Sequence, residues 1–571
     1  MLRQPDHRLF LQKDPSVLPV RQDKKEDITM IMTGAEILLE ALRREGVEHI
    51  FGYAGATICP VVDVLRSASD IGYTLVRTEQ NAGHMASGYA RVTGKAGVCL
   101  VTSGPGATNL ITGVATAYLD SIPMVAITGQ VPSGLLGRDI FQEVDITGST
   151  DAFTKHNYLV KDAADLPRVI KEAFYLATTG RPGPVLIDIP IDIQNQEVEP
   201  VFPDEVNMRG YHPSVRGNDK QLDHVAEAIG LARQPVIVAG GGVFLSDARE
   251  ELRAFAESLG IPVVTTMMGL SLLPSNHSLN MGMIGSHGNP CANRALAKAD
   301  LLIMIGTRVA DRAIIAPAEI HRRMPSIHID VDPAEIGKNL QPELPLVGNA
   351  KVILRQLMER EIHMDCMEWR SQLQEKRVEE LHREYPWREE SVTPGRLLRA
   401  LGKKLQSDAA VCVDVGQNQL WSCKNLWLKD TRFLTSGGLG TMGYSLPAAV
   451  GVKTAQPERQ TVVICGDGSF QMSMNELAAV SLRKMDIKIL VIRNGVLGLV
   501  NQIQHAAPYH GPFGVELDGS PDFEIIASAY GIPSIVLEND ALLDGALERF
   551  LETEGPCLLI ANVDPACTTN D

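Results

Sequence analysis

The fold of this chain is decided by two stretches, Val462-Val463-Ile464-Cys465-Gly466-Asp467-Gly468-Ser469-Phe470 and Ile492-Arg493-Asn494-Gly495. The first is an apolar, β-branched run that predicts a buried strand and leads into a glycine-bracketed turn around Asp467. A second such run, residues 487–492, leads to Asn494. Because the carboxyl ends of neighbouring parallel strands lie side by side, we expect Asp467 and Asn494 to converge. A carboxylate and an amide oxygen suit a small hard cation such as Mg²⁺ that also takes substrate phosphates.

Length and composition place the chain among multi-domain α/β proteins. A chain of 571 residues exceeds one hydrophobic core, so roughly two to four domains are expected. The 50 glycines and only 5% aromatic residues are typical of α/β folds with many tight turns. The net charge of −16 argues against nucleic acid as a partner, and no stretch is long and apolar enough to predict a membrane helix. Nine scattered cysteines without a C-x-x-C pair argue against a zinc site or disulfides and favour a cytoplasmic location.

Alternating strand and helix patterns predict an α/β fold with three doubly wound parallel-sheet domains. We place these domains at residues 30–195, 217–358 and 393–571. The charged segment 359–392 is predicted to be helical and exposed. Residues 1–29 are polar and lack the apolar core of a signal peptide, which predicts a polar N-terminal extension.

Three further turns carry candidate site residues. Glu79 follows a predicted strand at 73–77, where a carboxylate faces the ligand crevice of an α/β sheet or, alternatively, is a helix N-terminal acid stabilised by the dipole. The turns at 103–109 and 437–443 are also glycine-bracketed. Each either cradles a ligand or only begins a helix.

The ordered blocks together resemble a known family. They are Gly52-Tyr53-Ala54-Gly55, Thr78-Glu79-Gln80, Ser103-Gly104-Pro105-Gly106, Phe141-Gln142-Glu143-Val144-Asp145, Gly438-Leu439-Gly440-Thr441-Met442-Gly443 and the Gly-Asp-Gly turn with Asn494. In this order they resemble thiamine diphosphate enzymes and, more narrowly, the large catalytic subunit of the acetolactate (acetohydroxyacid) synthase family. The resemblance runs from about residue 33 to about residue 563. It implies a pyrimidine-binding domain, a central FAD-binding-like domain and a diphosphate- and Mg²⁺-binding domain, in that order.

The resemblance assigns cofactor contacts. Glu79 would hydrogen-bond the pyrimidine ring of thiamine diphosphate and so start its activation. The carbonyl of Gly440 would hold the pyrimidine amine, and Met442 would support the bent cofactor. Mg²⁺ would be bound by Asp467, Asn494 and the carbonyl of Val496. The diphosphate would lie near Gln417, Asn418, Gly466, Gly468 and Ser469.

The central domain of this family carries FAD, which does no net redox work there. Here the matching residues are Arg181, Gly241, Met268, His287, Arg308, Arg312, Asp330 and Asp332. The alternative is a glycine-rich turn in a domain whose nucleotide site has decayed.

The implied reaction decarboxylates a 2-oxo acid, by default pyruvate, and transfers the two-carbon unit to a second 2-oxo acid. Such a reaction belongs to branched-chain amino acid biosynthesis. Phe141, Gln142 and Lys155 would line the substrate entry, and Gln142 and Lys155 would steer the substrate carboxylate. In this family the site forms across two subunits, so a homodimer or homotetramer is expected, and a small regulatory subunit is a further partner that the resemblance allows.

The chain departs from the family where the acceptor binds. A lysine, a methionine, an acid and a tryptophan of the family pattern are replaced by Ile191, Ser286, Ala310 and Ile503. In the family that tryptophan favours the larger 2-oxobutyrate as second substrate, and Ile503 removes the basis for this preference. Residues 564–571 do not resemble the segment that closes over the family's active site, so we expect that lid to be missing.

These departures keep other functions open. One is a related carboligase or lyase that uses a bulkier 2-oxo acid or an aldehyde acceptor. A binding protein that has lost catalysis and a flavin oxidoreductase are two more.

Overall fold

The computed structural model describes residues 30–570, so the predicted extension at 1–29 lies outside the described part. Within this part the chain forms three six-stranded sheets, and every pairing inside these sheets is parallel. This arrangement confirms the predicted fold class. None of the helices between residues 30 and 570 combines the length and the apolar character needed to cross a membrane.

The first sheet has the strand order β3-β2-β4-β5-β7-β6. Its unit contains β1 (Met32–Thr33), α1 (Gly34–Arg44), β2 (His49–Tyr53), α2 (Cys59–Arg66), β3 (Gly72–Leu75), α3 (Glu79–Thr93), β4 (Gly97–Val101), α4 (Pro105–Leu119), β5 (Met124–Gln130), α5 (Ile146–Thr150), β6 (His156–Leu159), α6 (Leu166–Thr178), β7 (Pro184–Pro190), α7 (Ile191–Asn195) and β8 (Glu197–Val198). The start of helix α1 is determined by a local sequence pattern. The Thr33 hydroxyl accepts from the Glu36 amide, and the Glu36 carboxylate accepts from the Thr33 amide, which closes a capping box.

The second sheet has the order β11-β10-β9-β12-β13-β14. Its unit contains α8 (Asp219–Leu231), β9 (Pro235–Ala239), α9 (Gly241–Leu245), α10 (Arg249–Leu259), β10 (Val263–Thr265), β11 (Asn280–Met283), α11 (Pro290–Lys298), β12 (Leu301–Ile305), α12 (Pro317–Arg323), β13 (Ser326–Asp330), β14 (Leu344–Val347), α13 (Ala350–Met358) and α14 (Met367–Leu381). Helix α14 lies in the charged segment predicted to be helical and exposed. Two of its residues, Trp369 and Leu373, are buried against the second unit, so this helix is only partly exposed.

The third sheet has the order β16-β15-β17-β18-β20-β19. Its unit contains α15 (Pro394–Lys404), β15 (Ala410–Val413), α16 (Gln417–Asn425), β16 (Arg432–Leu434), α17 (Ser445–Ala455), β17 (Thr461–Gly466), α18 (Asp467–Gln471), α19 (Leu477–Leu482), β18 (Ile487–Arg493), α20 (Gly498–Gln504), α21 (Phe523–Ala529), β19 (Ser534–Leu537), α22 (Leu543–Glu552) and β20 (Cys557–Asn562). Strands β17 and β18 pair directly, from Thr461 with Ile487 to Gly466 with Ile492. The two stretches that opened the sequence analysis therefore end side by side, as predicted.

The first and third units pack together through helices α3 and α17. A Cβ on Gly88 would lie 2.0 Å from the Ala448 carbonyl oxygen, and one on Gly451 would lie 1.9 Å from the Met85 oxygen. Any side chain at these positions would push the helices apart. The backbones therefore touch, and one apolar core runs through both units. This contact fixes α3, whose first residue is Glu79.

Candidate active site

Asp467 lies at the centre of a turn made of backbone amides. Its Oδ1 accepts from the Gly468 amide at 3.0 Å, and its Oδ2 accepts from the amides of Asn494 at 3.2 Å and Gly495 at 2.7 Å. Burial raises the pKa of Asp467. No Lys, Arg or His between residues 30 and 570 forms an ion pair with this carboxylate. A buried carboxylate without a protein cation is suited to a bound metal ion.

The other predicted metal ligands surround the same turn. The Asn494 amide nitrogen donates to the Gln417 Oε1 at 3.2 Å, and the Asn494 Oδ1 accepts from the Val496 amide at 3.2 Å. A Cβ on Gly498 would lie 2.0 Å from the Gln417 Oε1. The structure thus brings Asp467, Asn494, Val496 and Gln417 together, and their oxygens are the hard donors that Mg²⁺ prefers.

The chain end also reaches this place. The Gln417 Nε2 donates to the Cys567 carbonyl at 2.8 Å, and the Trp421 Nε1 donates to the Thr568 carbonyl at 2.8 Å. The backbone carbonyl of Cys567 therefore holds the side chain of Gln417, a residue predicted to contact the diphosphate. No sequence pattern predicts this contact, because it joins positions about 150 residues apart.

The glycine turn around Asp467 is tight. The Ser469 hydroxyl hydrogen-bonds both the amide and the carbonyl of Gly466, each at 3.1 Å. A Cβ on Gly468 would lie 3.6 Å from the Met442 methyl, so the predicted diphosphate turn faces the predicted cofactor support. The Asn418 Nδ2 donates to the Asp414 carbonyl at 2.7 Å, which engages this amide with the backbone rather than leaving it free for a phosphate.

The segment 436–445 carries Gly440 and Met442, and buried groups hold it in place. The Asp414 Oδ1 accepts from the Gly443 amide at 2.9 Å, and its Oδ2 accepts from the Ser445 amide at 2.9 Å. Gly440 adopts φ +74°, a conformation that favours glycine. Asp414 did not stand out in the sequence, because a lone aspartate after a strand carries no specific pattern.

Glu79 is the first residue of α3, so the structure shows the helix N-terminal position that was one of the two alternatives. Its side chain is buried, and its Oε2 accepts from the Asn109 amide at 3.0 Å. Its Oε1 is 3.3 Å from where a Cβ on Gly106 would lie. Among residues 30–570, no hydrogen bond or ion pair joins Glu79 to Asp467. These two predicted residues therefore make no direct polar contact within the described part of the single chain.

A cavity of about 1280 Å³ lies where the three units meet. Most of the predicted FAD contacts line it, namely Arg181, Gly241, Met268, His287, Arg308, Arg312 and Asp330. Asp332 does not line it, but its carboxylate pairs with Arg181 at 3.2 Å. Burial raises the pKa of Asp330 to about 6 and lowers the pKa of Arg308.

The glycines of the central domain make a close turn in this cavity. A Cβ on Gly242 would lie 2.7 Å from the Gly306 Cα, and one on Gly241 would lie 3.0 Å from the Met268 Cβ. These glycines therefore leave no room for side chains where α9 begins. Such a cradle at the edge of a parallel sheet fits a dinucleotide.

Three of the four positions that depart from the family pattern line the same cavity. They are Ser286, Ala310 and Ile503, and Gly440 lines it too. Ile191 does not line this cavity and begins α7 instead.

The predicted substrate-entry residues are placed differently. Phe141 is 87% exposed, and Gln142 has φ +61° beside the turn at Gly104. The Lys155 ammonium donates to carbonyl oxygens of Leu176 and Thr179 at the end of α6. Within the single chain, Lys155 is thus a helix-capping residue outside the cavity, and its contact with a substrate carboxylate stays a prediction.

Sequence comparisons identify the class of protein. Models of thiamine pyrophosphate (thiamine diphosphate) enzymes match the chain in three places. The N-terminal TPP binding domain matches residues 32–149, the central domain matches 222–357 and the C-terminal TPP binding domain matches 414–561.

Curated relatives narrow the class. An acetolactate synthase from Arthrospira platensis is 42% identical over 561 residues, which cover 95% of this chain and 96% of the relative. The acetolactate synthase large subunit of Corynebacterium glutamicum is 47% identical, covering 83% of this chain and 76% of the relative. The large subunit of Lactococcus lactis is 40% identical, covering 93% and 92%. The chain therefore belongs to the acetolactate synthase family of thiamine pyrophosphate enzymes, which confirms the predicted resemblance and the predicted class of thiamine diphosphate-dependent carboligase.

Proposed function

We propose that this protein makes acetolactate: it decarboxylates pyruvate and joins the remaining two-carbon unit to the carbonyl carbon of a second 2-oxo acid. The observation that carries this proposal is the retention of Glu79, Asp467 and Asn494 in a chain that matches an acetolactate synthase over 95% of its length. Bound thiamine diphosphate supplies the electron sink for breaking and forming the carbon–carbon bonds.

The chain's own residues bind and orient that cofactor. Asp467, Asn494 and the Val496 carbonyl would hold Mg²⁺. The buried Asp467 carboxylate, which has no ion-pair partner among residues 30–570, supports this assignment. The loop backbone around Gly468 and Ser469 would contact the diphosphate. The diphosphate would lie near Gln417, Asn418 and Gly466. To donate a hydrogen bond to the diphosphate, the Gln417 amide would have to leave the Cys567 carbonyl.

At the other end of the cofactor, the chain would act on the pyrimidine ring. Gly440 offers a carbonyl at a turn with φ +74°, and Met442 packs toward Gly468. Glu79, oriented by Asn109, would hold a proton at its carboxylate oxygen facing the pyrimidine ring.

We assign the cavity between the units to FAD. Its lining by seven of the eight predicted contacts and its tight glycine turn support a retained dinucleotide site. The purified protein is then expected to be yellow, with a flavin absorbance band that is released on denaturation. A colourless preparation that does not take up added FAD would contradict this assignment.

A homodimer or a homotetramer built from it is the assembly that we propose. Helix α3 places Glu79 at one end and Arg91 at the other, about 18 Å apart at 1.5 Å per residue. Arg91 contacts Asp120, which binds the start of the segment that carries Gly440. Among residues 30–570 no hydrogen bond joins Glu79 to the segment that carries Gly440, which supports a second chain as the source of the carboxylate.

A further partner, the acceptor substrate and a location complete the proposal. Relatives named large subunits support a small regulatory subunit as a partner. Ser286, Ala310 and Ile503 would shape the acceptor pocket, and we propose pyruvate as the acceptor. The cysteines of the described residues other than Cys567 are free thiols, which supports a reducing, cytoplasmic compartment.

The test is a steady-state assay with pyruvate, Mg²⁺, thiamine diphosphate and FAD, in which the products are identified by mass. Acetolactate and CO₂ in equal amounts are the expected products. Cofactor binding without acetolactate, followed by turnover with other 2-oxo acids or aldehydes, would contradict the proposed substrate.

A further inference from the structure

The segment 436–445 is held at its start by a carboxylate of another domain. Asp120 follows α4, and its Oδ1 accepts from the Gly438 amide at 2.7 Å while its Oδ2 accepts from the Gly437 amide at 3.3 Å. A Cβ on Gly438 would lie 2.7 Å from the Leu119 carbonyl oxygen. The segment thus lies directly against the end of α4, with no space between the backbones.

The charge of Asp120 is balanced inside the protein. The Arg91 Nη2 donates to the Asp120 Oδ2 at 2.6 Å, and the two side chains are 3% and 0% exposed. The Arg91 carbonyl accepts from the Arg432 Nε at 3.2 Å, which ties this pair to the third domain as well. A buried and fully paired carboxylate keeps its position much better than an exposed one, because both moving it and uncovering it leave unpaired groups.

The two ends of the segment are therefore fixed by carboxylates from different domains. Asp414 of the third domain binds Gly443 and Ser445, and Asp120 of the first domain binds Gly437 and Gly438. A hydrogen bond of 2.8 Å between the hydroxyls of Thr116 and Thr441 adds a second contact with α4. Gly440 and Met442 lie between these anchors.

We propose that Asp120 is a positioning residue for thiamine diphosphate, which it does not touch: by holding the Gly437 and Gly438 amides, it fixes where the Gly440 carbonyl and the Met442 side chain meet the pyrimidine end of the cofactor. This proposal rests on the cofactor assignment made above for Gly440 and Met442. Its functional consequence is that cofactor affinity depends on a group in the first domain of the same chain.

The test compares Asp120→Asn with a matched control in the full-length protein. Asp540 is also a buried carboxylate that accepts from two backbone amides, those of Arg388 and Thr393, but it belongs to a different part of the third domain. Asp540→Asn therefore removes a similar buried charge without touching the segment. Both variants are expected to lower the melting temperature.

The readout is the Kd for thiamine diphosphate with Mg²⁺, measured by calorimetric titration in the absence of substrate. Asp120→Asn should raise this Kd by about tenfold or more, because a charge-assisted hydrogen bond to the segment is lost. Asp540→Asn should leave it within about twofold of the wild-type value. The KM for pyruvate at saturating cofactor should change little in either variant.

A second variant keeps the proposal testable if Asp120→Asn does not fold. Asp120→Glu retains the charge beside Arg91 but adds a methylene that pushes the segment outward, so the Kd should again rise. A folded Asp120→Asn or Asp120→Glu protein with a wild-type Kd would overturn the proposal. Wild-type acetolactate formation is assayed in parallel, so a protein that binds the cofactor but makes no acetolactate contradicts the proposed reaction and not the role of Asp120.

Discussion

Replacing Glu79 by glutamine should abolish most of the activity and leave the fold intact. The Glu79 carboxylate accepts one hydrogen bond, from Asn109 at 3.0 Å, and no ion pair of the described residues involves it. Glutamine has the same shape and keeps an oxygen that accepts this bond. The free energy of unfolding should therefore change by less than about 1 kcal/mol. What glutamine cannot do is take and return a proton.

The size of the catalytic loss follows from that proton. A positioned acid or base contributes about 10²- to 10⁴-fold to a rate, which corresponds to about 3–5 kcal/mol in the barrier. The assay is kcat for acetolactate formation at saturating thiamine diphosphate and Mg²⁺, with urea unfolding measured on the same preparations. We expect kcat to fall in this range and the unfolding midpoint to stay near the wild-type value.

Glu476 offers a matched control for this experiment. It is fully buried, and its carboxylate accepts from the Arg77 amide and from the Asn81 side chain, both at 2.8 Å, just beside the start of α3. Glu476→Gln should therefore cost stability and leave kcat within about threefold. Our reasoning would be refuted by a Glu79→Gln enzyme that keeps wild-type kcat, or by equal losses of kcat in the two variants.

Three further predictions concern the metal, the acceptor and pH. Mg²⁺ plus thiamine diphosphate should raise the melting temperature of the wild type, and Asp467→Asn should remove this gain because the carboxylate ligand is lost. Thermal scans with and without EDTA measure the gain. An undiminished gain in the variant would contradict the metal assignment. Ile503→Trp introduces the tryptophan of the family pattern into the cavity that Ser286 and Ala310 also line. In a competition assay, the ratio of 2-oxobutyrate to pyruvate used as acceptor should rise by about tenfold. An unchanged ratio would show that this position does not set acceptor specificity. Burial lowers the pKa of His84 to about 3, so near and below pH 6.5 the unfolded chain binds a proton that the folded chain does not. The free energy of unfolding should therefore fall by about 2 kcal/mol between pH 7 and pH 5 because of this residue. Urea unfolding over this range should show a smaller loss for His84→Gln, and an equal loss in the two proteins would contradict the assignment.

Local patterns predicted the central strands of the fold well. The run at residues 487–492 was predicted as a strand and is found as β18 (Ile487–Arg493), because a strand covered on both faces is a continuous apolar run. Five strands at the edges of the sheets carry no such long apolar run, namely β6, β11, β14, β16 and β19. Each has only three or four residues and often a polar residue or proline, so its periodicity is too short to recognise.

The class of this protein and the chemistry of its turns follow from local patterns of amino acids. The glycines around Asp467 and the apolar runs before it and before Asn494 are local, so chain order alone placed the two side chains at neighbouring strand ends. The distant groups that hold these turns are selected by the packing of the folded chain. The contacts of Asp120 with Gly438, Gln417 with Cys567, and Lys155 with the end of α6 join residues far apart in the chain. Such pairs have no periodicity or spacing to reveal them, since they form only when separate domains pack against one another and buried polar groups must find partners.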